Sequence, residues 1–200
     1  MIPVPALLTE RLVIRPLSMG DLEDVYRLLD EQEGSARTEP EGRQARADWL
    51  QWTVLGYEQL ARLHQPPFGE RAITLHDSGE LVGLAGHTPV FDALPQISAL
   101  APPGGTLQGV NACELGLYYH VAPAWRRQGI AREAAQALSD FAFAQLHVWR
   151  IVATTTYDNE GSQAVMRRLG MAILTNPRPD PFHLQIAGVR YNPAVLQAKR

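Results

Sequence analysis

Two hydrophobic rhythms alternate along the chain. Thr9 to Arg15 (Thr-Glu-Arg-Leu-Val-Ile-Arg) reads as a first strand, stopped by Pro16. Ser18 followed by Asp21 resembles an N-cap box, and Leu22, Val25, Tyr26 and Leu29 then fall at helical spacing. A second helical region, roughly Gln44 to Leu63, carries Trp49, Thr53, Tyr57 and Leu60 at the same period, with Gly56 as its weak point. Core packing explains these aromatics; walls of an acceptor pocket are the alternative.

Arg71–His76 and Glu80–His87 are β-like runs around Asp77-Ser78-Gly79, a hairpin signal. Thr88 to Val110 reads as a long loop, with Pro89, Pro95, Pro102, Pro103, Gly104 and Gly105, and a loop of that length suggests a flap near a substrate. Glu114 to Val121 is strand-like. After Gly129, the residues Ile130, Ala134, Ala137, Leu138, Phe141 and Ala144 form one helical stripe. Arg150 to Thr156 is a strand rich in β-branched residues. The Glu114 strand, the Ala-rich helix and this strand make a βαβ crossover, so the two strands should run parallel. Asn159 caps a short helix that ends at Gly170. Met171–Thr175 and His183–Tyr191 close an α/β fold whose mixed sheet is antiparallel at first and parallel at its middle.

The 200 residues suit one domain, 1–200. A formal charge of −3 without a basic run argues against nucleic acid as a partner. No apolar run is long enough to cross a bilayer, and no signal-peptide pattern opens the chain. The lone Cys113, expected as a small buried residue, excludes an internal disulfide and fits a cytoplasmic protein. The six histidines are scattered and pair with no cysteine, which argues against a metal site.

The stretch with chemistry in it is Arg126-Arg127-Gln128-Gly129-Ile130-Ala131, set between a strand and a helix. The first turn of that helix leaves backbone N–H groups without partners, and the helix dipole adds positive potential there. Gly129 lets a phosphate approach the backbone with no Cβ in the way, and Ala131 keeps the helix start open. Such a backbone cradle outweighs Arg126 and Arg127, since exposed ion pairs contribute only about 0–1 kcal/mol.

Glu114-Leu-Gly-Leu-Tyr, Val121-x-Pro123, Arg126-x-x-Gly129-x-Ala131-x-Glu133-Ala134 and Asn159-x-x-Ser162 to Leu169-Gly170-Met171 together resemble the GCN5-related N-acetyltransferase (GNAT) superfamily. The opening Thr9-Glu-Arg-Leu-x-Ile-Arg-Pro-Leu is similar to its ribosomal-protein-alanine N-acetyltransferase branch. The resemblance implies a central sheet of about seven strands, splayed between the fourth and fifth. It implies acetyl-CoA as donor, with the pyrophosphate on residues 126–131 and the pantetheine arm beside the Glu114 strand at Tyr119 and Val121. In such a splay the arm bonds exposed backbone like an added strand. Asn159 and Ser162 are expected to face the arm. A homodimer is compatible with the family.

Acetyl transfer to an amine needs a neutral amine, a donor to the oxyanion and a proton for the leaving thiolate. Glu114 is the base candidate: alternation puts Glu114, Gly116, Tyr118 and His120 on one face, and the resemblance sets this glutamate on the acceptor side. Ser162 is the acid candidate, because Ser162, Val165, Met166 and Leu169 share a helical stripe that turns the hydroxyl inward. Tyr157 stands nearby, before the cap. Either residue could equally be structural, a strand carboxylate or a helix-start hydroxyl. The leading function is an N-acetyltransferase acting on a primary amine, a protein N-terminus or a small molecule, by direct transfer. The alternative is a catalytically inactive CoA-binding sensor or scaffold. An unrelated nucleotide-binding enzyme is disfavoured by the lack of a Walker lysine and of Gly-x-Gly-x-x-Gly.

Overall fold

The computed structural model describes residues 5–31, 41–101 and 110–194. Its strands are β1 (Leu7–Leu8), β2 (Leu12–Pro16), β3 (Gly69–Leu75), β4 (Leu81–Asp92), β5 (Ala112–Val121), β6 (Arg150–Thr155), β7 (Ala172–Thr175) and β8 (Ile186–Tyr191). Its helices are α1 (Leu22–Tyr26), α2 (Glu41–Arg62), α3 (Ile130–Ala144) and α4 (Glu160–Arg168). The strands form one mixed sheet of eight, ordered β1-β2-β3-β4-β5-β6-β8-β7. The chain divides into two compact units, Met1–His87 with Tyr118–Leu138, and Thr88–Leu117 with Ser139–Arg200.

In the first unit the expected opening strand is broken at its start. Thr9 N–H donates to the Leu12 carbonyl, 3.0 Å, and Leu12 N–H donates to Thr9 Oγ1, 3.0 Å, so Thr9–Arg11 turns the chain and β1 pairs back on β2. The threonine hydroxyl offers the backbone an acceptor that a ladder would otherwise supply. Ser18 and Asp21 form the expected capping box, and α1 runs on into a π-type turn at Arg27–Glu31. Leu17, Val25, Leu28, Leu50, Ala72 and Leu84 make the core between these helices and the sheet, and Trp49 and Tyr118 pack on it. Full burial of a leucine such as Leu50 is worth about 1.5–3 kcal/mol. Helix α2 continues straight through Gly56. On α3, Ile130, Ala134, Leu138 and Phe141 are buried as the stripe predicts. Ala144 instead faces solvent, while Ala135 and Ala142 are buried, so the apolar face is wider than the stripe.

In the second unit β6 and β5 run parallel, registered at Gly116 and Val152, as the crossover requires. β8 lies between β6 and β7, antiparallel to both. Methionine packing fixes one face: a Cβ on Gly188 would lie 2.8 Å from Met166 Sδ of α4. The opposite face, with Val152, Ala187 and Val189, is covered by Leu94, Ile97 and Leu100. This corrects the loop expected at Thr88–Val110. β4 extends to Asp92, since Thr88, Val90 and Phe91 favour strand and Pro89 sits at an exposed position that needs no N–H. Two 3₁₀ turns then place buried Leu94, Ile97 and Leu100 as a packed cap, not a flap. Pro102, Pro103, Gly104 and Gly105 lie outside the described residues. β8 begins at Ile186, later than expected, because Phe182–Leu184 forms a 3₁₀ turn.

Candidate active site

β5 ends at Val121, and Pro123–Trp125 makes a 3₁₀ turn that leads into the glycine loop. Arg127 at φ 63° and Gly129 at φ 83° are both left-handed. Left-handed residues alternating with ordinary ones point successive N–H groups into one concavity, which is a nest for an anion. Glu133 N–H donates to the Gly129 carbonyl, 3.0 Å, the first bond of α3. The amides of Gly129, Ile130, Ala131 and Arg132 therefore have no intrahelical acceptor. Arg126 donates from Nε to the Val121 carbonyl at 2.9 Å. Gln128 likewise donates to the Ala124 carbonyl, 3.1 Å.

The β1–β2 turn clamps this loop, a feature the sequence reading did not contain. Glu133 Oε1 accepts from Thr9 Oγ1 at 2.6 Å, across 124 residues, and from Arg11 N–H at 3.0 Å. Arg11 donates to Glu133 Oε2 from Nε at 2.8 Å, and to the Gln128 carbonyl from Nη1 at 3.1 Å. Burial works to raise the Glu133 carboxyl, yet the bonds from Thr9 and Arg11 prevail and hold it below the usual range. A Cβ on Gly129 would touch only Arg11 Nη2, at 3.4 Å, so the glycine is required by its φ and by the approach it leaves open.

Tyr119 and His120 are half-buried on the C-terminal half of β5, and Val121 is buried. Nearby lies a buried polar group. Arg71 and His87 are fully buried, and His87 Nε2 bonds the Leu138 carbonyl of α3 at 3.2 Å. Burial first, then the Arg71 charge, pushes His87 down to about 4. On the helix-covered side, Tyr57 Oη accepts from Leu17 N–H at 3.1 Å and donates to the Glu70 carbonyl. Burial pushes the Tyr57 phenol up to about 12 and raises the Glu70 carboxyl.

In the second unit, Glu114 meets a guanidinium. Arg150 donates from Nε to Glu114 Oε2 at 3.0 Å and from Nη2 to Oε1, and from Nη1 to Tyr191 Oη at 3.2 Å. The Glu114 bonds, opposed by burial, raise the Arg150 guanidinium. Both side chains are nearly buried, 9% and 12% exposed, and the guanidinium stacks 4.7 Å from the Trp149 ring centroid. Gly116 is where β4 approaches: a Cβ there would run into Val90 and Thr88. Asn159 caps α4, its Oδ1 accepting from Ser162 N–H at 3.0 Å, and Ser162 is half-buried. Tyr157 Oη donates to the Asn176 carbonyl, 2.7 Å, and so anchors the segment after β7. Cys113 is exposed rather than buried, because β5 turns it to solvent beside half-buried Ala112 and Glu114. Among the described residues there is no cluster that could hold a metal ion, and no helix is long and apolar enough to cross a membrane.

Comparison with known proteins agrees with this fold. Over 167 residues, 83% of this chain and 82% of the relative, the chain is 26% identical to the uncharacterized N-acetyltransferase YoaA of Bacillus subtilis. Its fold is like that of the ribosomal-protein-S5-alanine acetyltransferase of Vibrio fischeri, with TM-score 0.67, 15% identity and coverage of 94% of this chain and 97% of that one. It is also like that of RimL, a ribosomal L7/L12 α-N-protein acetyltransferase solved in complex with coenzyme A, with TM-score 0.61, 14% identity and coverage of 94% and 97%. The acetyltransferase (GNAT) domain profile matches residues 11–172, a span that takes in Arg11 and Glu133 of the clamp, the glycine loop and the Asn159 cap. The chain therefore belongs to the GNAT family of acetyltransferases.

Proposed function

We propose that this acetyltransferase moves the acetyl group of acetyl-CoA to a primary amine, a protein N-terminus or a small molecule, by direct transfer in a ternary complex. One observation carries the reading: the open amides at Gly129–Arg132, nested by Arg127 and Gly129 and clamped by Arg11 and Glu133. The pyrophosphate of acetyl-CoA suits this cradle in charge and size. Residues 126–131 would hold it, with Tyr119 and Val121 lining the pantetheine arm. Asn159 spends Oδ1 on its cap and keeps Nδ2 for an amide of the arm. Ser162 is proposed to return a proton to the departing thiolate. Acetyl-CoA supplies the activated thioester; the chain supplies orientation and proton handling. An α-amine, at about 7.7–8.0, gives up its proton more readily than lysine at about 10.4, which favours an N-terminus or a weakly basic amine as acceptor.

The sensor reading has one observation in its favour: both oxygens of Glu114, the base candidate from sequence, are already taken by Arg150. As a base, Glu114 would act through its remaining lone pairs and water. Thiol release from acetyl-CoA, followed across a panel of peptides and small amines, decides between them. Turnover with any acceptor supports the enzyme; firm CoA binding with none supports the sensor. Gly129→Val should weaken acetyl-CoA binding at least about tenfold, since a β-branched residue resists the left-handed φ and fills the approach. Unchanged affinity by calorimetry would remove the cradle.

A further inference from the structure

We infer that Glu70 is the proton acceptor for the incoming amine, a role resting on the acetyl-transfer reading above. Three strands of the first unit set its position. Glu70 on β3 registers with Gly86 on β4. Ala122 N–H donates to the Val82 carbonyl at 2.9 Å, and a Cβ on Gly83 would come 3.2 Å from Val121 Cα, which gives the antiparallel register of β4 on β5. That register puts Gly86 opposite Tyr118, so Glu70, Gly86 and Tyr118 form a row across the sheet. Alternation assigns the row to the face of Ala72 and Leu84, the face α1 and α2 cover. The middle position carries no side chain, because a Cβ on Gly86 would run into the Gly69 carbonyl. The row therefore has a carboxylate at one end, and at the other the strand proposed to carry the pantetheine arm.

The carboxylate itself is unusual. It is half-buried, the hydrogen bond it accepts comes from its own backbone N–H, and among the described residues no cation is paired to it. The cation acting on it, Arg46 of α2, is committed to Asp30 by bonds of 2.7 and 2.9 Å. Tyr57 of α2 bonds the Glu70 backbone, not its carboxylate. Arg46 and Tyr57, both of α2, are the charged and titratable groups whose charge couples to it. A desolvated carboxylate held by its own backbone N–H and by no paired cation is costly, and burial raises it above the ordinary carboxylate range, the direction a base needs. A carboxylate so placed suits a base aimed at a ligand.

Glu70 carboxylate takes one proton from the ammonium, leaving a neutral amine and a carboxylic acid. The amine nitrogen bonds the thioester carbonyl carbon, the C–S bond breaks, Ser162 gives its hydroxyl proton to the CoA thiolate, and the second proton on nitrogen replaces it on Ser162. Glu70 then releases its proton to solvent.

Glu70→Gln and Glu70→Asp test the assignment in the full chain against the same amine panel. Glu70→Gln should lower kcat about 10²-fold at pH 7. It should leave the acetyl-CoA Kd within about twofold and the melting temperature unchanged or higher, because an uncompensated carboxylate is gone. Its rate should recover with rising pH as the amine titrates by itself. Glu70→Asp should restore part of the rate and the acid limb of the pH profile. A Glu70→Gln rate equal to wild type, or a loss that tracks a lowered melting temperature, overturns the assignment while wild-type turnover keeps the acetyltransferase reading. No wild-type turnover with any amine overturns both.

Discussion

The two units carry the same kinds of parts in opposite states. Each has a helix start at the end of a strand and a glutamate on a strand. In the first unit the α3 amides have no intrahelical acceptor, and Glu70 stands without a paired cation. In the second, Asn159 closes the α4 mouth onto Ser162 N–H, and Arg150 closes onto Glu114. A helix mouth and a carboxylate bind a ligand only when the fold leaves their valences unfilled. The first unit keeps them unfilled by spending other groups nearby: Arg11 and Glu133 on each other, Arg46 on Asp30. The second uses the same chemistry for cohesion.

Changes to the closed set should therefore cost stability, and changes to the open set should cost function. Arg150→Met leaves Glu114 as a buried carboxylate without its cation and should destabilise by about 3–5 kcal/mol in urea unfolding. Acid stability reports on His87. Its folded value of about 4 lies below the ordinary 6.5, so the unfolded chain binds the proton first as pH drops. The contribution is intact above pH 6.5 and lost as pH falls through 4, by about 3 kcal/mol. Urea midpoints across that range should flatten in His87→Leu. Asn159→Ala should lower stability by about 1 kcal/mol. Asn159→Asp should keep the cap and weaken only CoA binding, which calorimetry separates. Arg11→Ala is the mildest: with the guanidinium half exposed, loosening of the clamp should weaken acetyl-CoA binding up to about fivefold, with kcat at saturation unchanged.

Much of the fold was legible because periodicity and caps are local. The Asp77-Ser78-Gly79 hairpin, the βαβ crossover, the Asn159 cap and the Gly129 turn all announce themselves within a few residues. Thr88–Asp92 misled because Pro89 signals a break, although an exposed strand position tolerates it. Leu94, Ile97 and Leu100 hid among prolines, and only the sheet face they cover makes them core. The clamp was illegible for another reason: Thr9 and Arg11 meet Glu133 more than a hundred residues on, and nothing local pairs them. Glu70 carries no motif at all. Its interest comes from what fails to surround it, which a sequence does not display.

Amide chemical shifts measured while CoA is titrated into the full chain test the central claim most directly. The account predicts large, saturable shifts at Gly129, Ile130 and Ala131, abolished in Gly129→Val. Saturable CoA binding that leaves those three amides unmoved would contradict it.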